Sequence, residues 1–247
     1  MHVVVTGAGT GIGQAIAERL ARDGATLTLL ARDVDRLAAV AGPIGATAMA
    51  CDIRDAAATD AAFATAAERR GPINVLVANA GIGGHNGPGE GDRFADLVAT
   101  NLVGTYTCLR AAQRHFAPPG SPRHLVVISS ILARIAVPGY TGYSASKAGL
   151  LGLVRSLAAE LAPADVPVNA ICPGWVDTTM AWTGIEGMAA ADGISRDEAH
   201  ARAMSEVPLR RMSQPADIAG VVAWLLSPDA RGVTGQAIDV NGGAFMS

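Results

Sequence analysis

The strongest constraint on the fold lies at the start of the chain. A short apolar run, Val3 to Thr6, breaks into Thr6-Gly7-Ala8-Gly9-Thr10-Gly11-Ile12-Gly13 and passes at once into an amphipathic stretch from about Gly11 to Asp23. The first reads as a buried strand and the second as a helix. A strand that turns directly into a helix leaves the first N–H groups of that helix without partners, and glycine lets backbone approach whatever supplies them. A pyrophosphate meets this need, because the positive end of the helix stabilises its charge. The spacing is Gly-x-x-x-Gly-x-Gly; Ile12 and Gln14 stand where the commoner Gly-x-Gly-x-x-Gly requires glycine. Gly7, Thr10, Gly11, Ile12 and Gly13 are therefore the candidate cofactor contacts. The alternative is an ordinary tight turn, which the position after the first strand and before a helix disfavours.

The same beat continues. Thr26 to Leu30, Ala46 to Ala50 and Pro72 to Val77 are short apolar runs separated by longer helical ones, the pattern of a doubly wound parallel sheet. The second strand ends in Ala31-Arg32-Asp33, beside the place for an adenosine ribose. An acidic side chain there suits a free 2'-hydroxyl and an arginine suits a 2'-phosphate, so Arg32 favours NADP(H) over NAD(H). Asp33 complicates this reading unless it caps the helix starting around Val34. At the end of the third strand, Asp52 is placed to accept from an adenine amino group with Ile53 against the ring; a helix N-cap is the equal alternative. Asn79-Ala80-Gly81 follows the fourth strand with side chains small enough for a ribose or flat ring to lie against backbone. The glycine-laden segment 82 to 91 reads as a loop at the cleft mouth, with His85 a solvated histidine.

Composition bounds the partners. A net charge of -3 with no basic cluster argues against nucleic acid or a membrane surface. No apolar run reaches the roughly 18 residues of a membrane span, and the glycine turn arrives too early for a signal peptide, so a cytoplasmic location is expected. Cys51, Cys108 and Cys172 lack metal-ligand spacing and read as reduced core residues; no metal is expected.

The chemistry lies further on. Leu125 to Ser129 is a fifth strand ending in Ser129-Ser130, at the edge where open parallel sheets place their ligands. Thirteen residues beyond Ser130 comes Tyr143-Ser144-Ala145-Ser146-Lys147, whose tyrosine and lysine share one helix face. A phenol titrates near 10, and a nearby ammonium lowers that value, which makes Tyr143 a candidate general acid or base. A serine hydroxyl close by would donate to the substrate oxygen. Lys147 is the chain's one lysine. Asn101 sits within a predicted helix from about Arg93 to Phe116, an unfavourable place for asparagine unless it is exposed or has a task.

The glycine turn Thr6 to Gly13, Asn79-Ala-Gly81, Asn101, Ser130, Tyr143-Ser-Ala-Ser-Lys147 and Pro173-Gly174 occur in the order and approximate spacing of the short-chain dehydrogenase/reductase family, which the chain resembles over essentially its whole length. Ala78 departs from the asparagine usual there. The resemblance implies a Rossmann-type doubly wound α/β domain of about seven strands, helices on both faces, spanning 1-247. It implies that Tyr143 is the proton donor in reduction or the base in oxidation, that Ser130 polarises the substrate oxygen, and that Lys147 lowers the tyrosine pKa and holds the nicotinamide ribose. Asn101 would support a water connecting Lys147 to solvent. Pro173, Gly174 and Val176 would lie beside the nicotinamide, with Thr178 near the pyrophosphate.

Residues 179-207 carry Met180, Trp182, Ile185 and Met188 interrupted by Gly184 and Gly187, which suits a mobile substrate lid of apolar character; a packed helical insertion or subunit contact is the alternative. Arg134 would meet an acidic substrate group or stand on the surface. The family's habit implies a homo-oligomer, tetramer or dimer. The function expected is hydride transfer between NADPH and a ketone or secondary alcohol, on a 3-oxoacyl- or polyketide-type substrate. Its alternatives are an NAD-dependent alcohol dehydrogenase and a non-catalytic nucleotide sensor.

Overall fold

Valines at Val3, Val4 and Val5 are fully buried, so the first strand is covered on both faces, as a central parallel strand must be. The computed structural model describes residues 1–246. Along the chain run β1 (His2–Thr6), α1 (Gly11–Arg22), β2 (Thr26–Ala31), α2 (Val34–Ala41), β3 (Thr47–Ala50), α3 (Ala56–Arg70) and β4 (Val75–Ala78). The second half holds α4 (Phe94–Val98), α5 (Thr105–Arg114), β5 (His124–Ile128), α6 (Thr141–Leu161), β6 (Val168–Pro173), α7 (Thr179–Asp192), α8 (Arg196–Ser205), α9 (Pro215–Leu225) and β7 (Ala237–Val240). The seven strands form one parallel sheet in the order β3-β2-β1-β4-β5-β6-β7.

Side chains alternate across this sheet. Val4, Leu76, Leu125 and Val127 join Phe63, Leu109, Leu150 and Leu157 from α3, α5 and α6 on one face. Val3, Val5, Val77 and Val126 join Ile16, Leu37, Ile218 and Val222 from α1, α2 and α9 on the other. The period of two sends alternate residues to opposite layers, and each layer finds a helix stripe to cover it. Strand order reverses at β1, which pairs with β2 on one side and β4 on the other. This is the point in an open α/β sheet where a crevice forms beyond the carboxyl ends of the strands. It brings the turn after β1 against Asn79-Ala80-Gly81 after β4.

The helix expected from about Arg93 to Phe116 is helical from Phe94 to Arg114, and between α4 and α5 the six residues Ala99–Gly104 form a π-helical turn with Asn101 inside it. Such turns insert one residue and gather at functional sites. Residues 179-207 form α7 and α8, with Ile185, Ala189, Ala199, Ala203 and Met204 packed with Val207 and Met212 in a small core of their own. Gly184 lies under Trp175, where a Cβ would sit 3.3 Å from the indole, so this glycine serves packing.

No helix among the described residues is long and apolar enough to cross a membrane. The three cysteines are free and buried.

Candidate active site

The turn after β1 is held by backbone contact. Gly7 has a left-handed φ of 66°, and a Cβ there would lie 2.7 Å from Ala80 Cα; a Cβ on Gly13 would collide with the Gly7 carbonyl oxygen. Asn79 Nδ2 donates to the Thr6 and Gly7 carbonyls at 3.1 and 3.0 Å, and the Asn79 and Ala80 N–H groups donate to Thr6 Oγ1. Thr6 is thus a clamp that the sequence did not single out. Thr10 precedes α1 in extended backbone but makes no side-chain cap, and the first turn of α1 carries no acidic residue. Gly-only contacts and a cap-free helix start fit an anionic diphosphate.

Around this turn the other expected contacts differ in what they offer. Arg32 is exposed just beyond β2. Asp33 is used elsewhere: it caps α2 by accepting from Arg36 N at 3.1 Å, with the Arg36 guanidinium 3.3 Å away. Asp52 does not cap α3; that helix is capped by Asp55. Asp52 is instead bound by Arg54, at 2.6 Å in the shortest contact, which holds its carboxyl below the ordinary value. Ile53 is 5 % exposed, and its side chain packs where Gly104 leaves room. Pro173 ends β6, Gly174 N donates to Val240 O, and Val176 is buried and bridged to Ser213. The Thr178 hydroxyl is engaged in capping α7, while its methyl abuts Gly11.

The proton-handling residues converge at the ends of β5 and β4. Ser129 Oγ donates to the Lys147 carbonyl at 2.9 Å, pinning α6 to the end of β5. Ser130 Oγ accepts from Leu132 N at 3.1 Å and caps the short turn Ile131–Ala133. Tyr143 lies in the first turn of α6, with Lys147 Nζ 5.7 Å from its ring centroid. Lys147, 5 % exposed, donates to the Ile128 carbonyl at 2.9 Å. Burial pushes the Tyr143 phenol up, and the nearby Ser130 hydroxyl offsets this in part. Lys147 gives one of its three donors to Ile128, and its own pKa is lowered by burial to about 8. Asn101 is fully buried, exchanging bonds with the Ile82 main chain (2.8 and 2.9 Å) and donating to Ser146 Oγ at 3.1 Å.

Two residues named for the substrate lie elsewhere. Arg134 is partly buried and tied to β7 and the chain beyond it: it donates to the Ala237 carbonyl, lies 3.5 Å from Asp239 and covers Phe245. Trp182 stacks on His200 beneath the Arg196 guanidinium, its indole N–H bonded to Asp177, so it belongs to the packing of α7 on α8. Met180 instead reaches toward Gly83, where a Cβ would sit 3.1 Å from its sulfur.

A serine, a tyrosine and a lysine set at the carboxyl edge of a doubly wound sheet, next to a diphosphate-shaped glycine turn, define a dinucleotide-dependent oxidoreductase site. Residues 7–244 match the family model described as enoyl-(acyl carrier protein) reductase, and the chain belongs to the short-chain dehydrogenase/reductase family. It is 36% identical over 250 residues to a putative ketoacyl reductase of Streptomyces coelicolor, spanning 97% of this chain and 95% of that one. Among solved structures, a variant of actinorhodin polyketide ketoreductase with NADPH superposes with a TM-score of 0.92 at 35% identity, covering 98% of this chain and 96% of that one. A 3-ketoacyl-(acyl-carrier-protein) reductase from Brucella melitensis complexed with NADH gives 0.87 at 32% identity, covering 99% and 98%.

Proposed function

We propose that the chain is an NADPH-dependent reductase that turns a ketone into a secondary alcohol, on a 3-oxoacyl- or polyketide-type substrate. The observation that carries this reading is the convergence of Ser130, Tyr143 and Lys147 beside the cap-free start of α1. The likeness to ketoacyl and polyketide ketoreductases supports the substrate class. When bound, the nicotinamide supplies the hydride.

Each residue then has a task that follows from its partners. Ser130 Oγ already accepts from Leu132 N, so its own proton is free to point at the substrate oxygen. Tyr143, its pKa raised, is protonated at neutral pH and acts as the acid that neutralises the developing alkoxide. Lys147 faces the phenolate left behind, and a pKa of about 8 lets it pass on a proton near neutrality. Asn101 Oδ1 retains one acceptor position, and a Cβ on Gly81 would sit 3.0 Å from that oxygen and 3.5 Å from Lys147 Nζ. The close approach of Gly81 thus leaves Asn101 Oδ1 and Lys147 Nζ near each other at the site, where Asn101 would support the water that connects Lys147 to solvent. Arg32, with Asp33 occupied by Arg36, is the charge for a 2'-phosphate. The α7–α8 pair with Met180 covers the substrate, and Val103, Tyr106, Leu209 and Trp224, all exposed, are surfaces for a second copy in a homo-oligomer.

The test is a titration with NADPH and with NADH, followed by nicotinamide fluorescence, then a 3-oxoacyl and cyclic ketone screen with the preferred cofactor. NADPH is expected to bind about tenfold tighter, roughly 1.4 kcal/mol, and Arg32→Ala to erase the difference. Equal binding in the parent protein would sink the phosphate assignment, and no ketone turnover would sink the reductase.

A further inference from the structure

Helix α6 starts without a cap of its own. Tyr140, the residue before it, makes no side-chain cap bond. The Gly142 N–H donates instead to Asn86 Oδ1, 2.9 Å away, from the glycine-rich loop after β4. Asn86 is 6 % exposed and every polar group on it with a partner leads to the same region: Nδ2 donates to Thr141 Oγ1 and to Asp92 Oδ1, each at 3.0 Å, and its main-chain N–H donates to Gly139 O at 2.8 Å. Asp92 Oδ1 also accepts from Phe94 N, which ties the group to the start of α4.

The same loop is fastened to α6 a second time. Ile82 exchanges main-chain bonds with Asn101, Asn101 donates to Ser146 Oγ, and the Ser146 hydroxyl donates to the Tyr143 carbonyl at 2.7 Å. Tyr143 stands between the two fastenings. The Ser146 link holds the body of the helix, but the first turn has no earlier turn to hold it, and helix ends fray when their N–H groups lack partners. Asn86 supplies that partner one residue before the tyrosine.

We propose that Asn86 is a positioning residue for Tyr143, holding the first turn of α6 where the phenol meets the reacting oxygen. The proposal rests on Tyr143 being the acid of the reduction proposed above. A carboxamide fits the place because it accepts from Gly142 on one side and donates to Asp92 on the other. A carboxylate at 86 would face Asp92; N86D combined with D92N restores the donor–acceptor pair between the two side chains and keeps the acceptor for Gly142, giving up only the bond from Phe94 N.

The experiment compares kcat, KM and NADPH affinity in the parent, Asn86→Ala, Asn86→Asp, the N86D and D92N double variant and Tyr143→Phe, using a ketone that the parent reduces. Asn86→Ala and Asn86→Asp are expected to lower kcat about ten- to a hundredfold, with NADPH affinity and ketone KM within about threefold. The double variant recovers kcat to within about threefold of the parent. A folded Asn86→Ala with kcat within about twofold of the parent, beside an inactive Tyr143→Phe, overturns the positioning role and leaves the acid assignment standing. A Tyr143→Phe that still turns over overturns the acid assignment and this proposal with it. If Asn86→Ala does not fold, the double variant decides: recovery supports the role, and a folded but slow enzyme overturns it.

Discussion

Two helix starts on the same edge of the sheet are built in opposite ways. α1 begins after Thr10 with no side-chain cap, and its backbone is pressed by Gly7 and Gly13 against Asn79 and Ala80. α6 begins with its Gly142 N–H bonded to Asn86 and its lower turn bonded through Ser129 and Ser146. Neighbouring helices follow neither plan: α2, α3 and α7 are capped by their own Asp33, Asp55 and Thr178. The difference separates two tasks. A start that binds a ligand keeps its N–H groups open and fixes its backbone by close packing. A start that carries a reacting side chain has its first turn tied to a neighbouring element through Gly142, so that the side chain stays in place.

Replacing the reacting side chain should break the comparison most sharply. Tyr143→Phe is expected to lower kcat by about 10²–10⁴ while NADPH affinity stays within about threefold, because the α1 side is untouched. Steady-state kinetics and a fluorescence titration of the same preparation check both halves.

The cost of arming α6 should be visible in stability. The pKa of Lys147 falls from 10.5 to about 8 through burial. Between those values the unfolded chain binds a proton that the folded chain does not, so stability rises with pH across that window. Below about pH 8 the folded protein carries the full cost of the buried ammonium. Lys147→Met should therefore be more stable than the parent at pH 7, by about 1–3 kcal/mol once the unbonded Ile128 carbonyl is allowed for. Its advantage should narrow toward pH 10. Denaturant melts of both proteins across pH 7 to 10 measure this, and a constant gap would count against it.

The smallest effect sharpens the α1 side. Thr10→Asp supplies the cap that this helix lacks, and should stabilise the cofactor-free protein by about 0.5–1 kcal/mol. The same carboxylate faces the diphosphate, so NADPH affinity should drop about tenfold, roughly 1.4 kcal/mol. A variant that gains stability and keeps affinity would show that the open N–H groups serve no ligand.

Much of this was legible because glycine and β-branched residues report local backbone needs. The strands, the turn after β1 and the Tyr143-to-Lys147 pair follow from patterns within a few residues. What escaped comes from contacts distant in sequence. The π-helical turn around Asn101 has no residue code, since one extra residue in a helix leaves composition unchanged. Asn86 sits among glycines that read only as a loop, and its partner Gly142 is on another element. Asp52 was weighed between adenine and a helix cap; the cap of α3 falls to Asp55, and Asp52 is paired with Arg54. Gly184 and Gly187 left residues 179-207 between a mobile lid and a packed helical insertion, and the packing of Gly184 under Trp175 and of α7 on α8 depends on contacts that local sequence does not carry.

Lys147 is the one lysine in a chain whose other side-chain cations are arginines, and it is buried under the reactive tyrosine. The folded surface thus displays almost no ε-amine, and an acylating reagent aimed at such amines must reach a side chain that is 5 % exposed and bonded to the end of β5. Covalent labelling of that single nitrogen would time the opening of the catalytic edge, without any probe having to be engineered into the molecule.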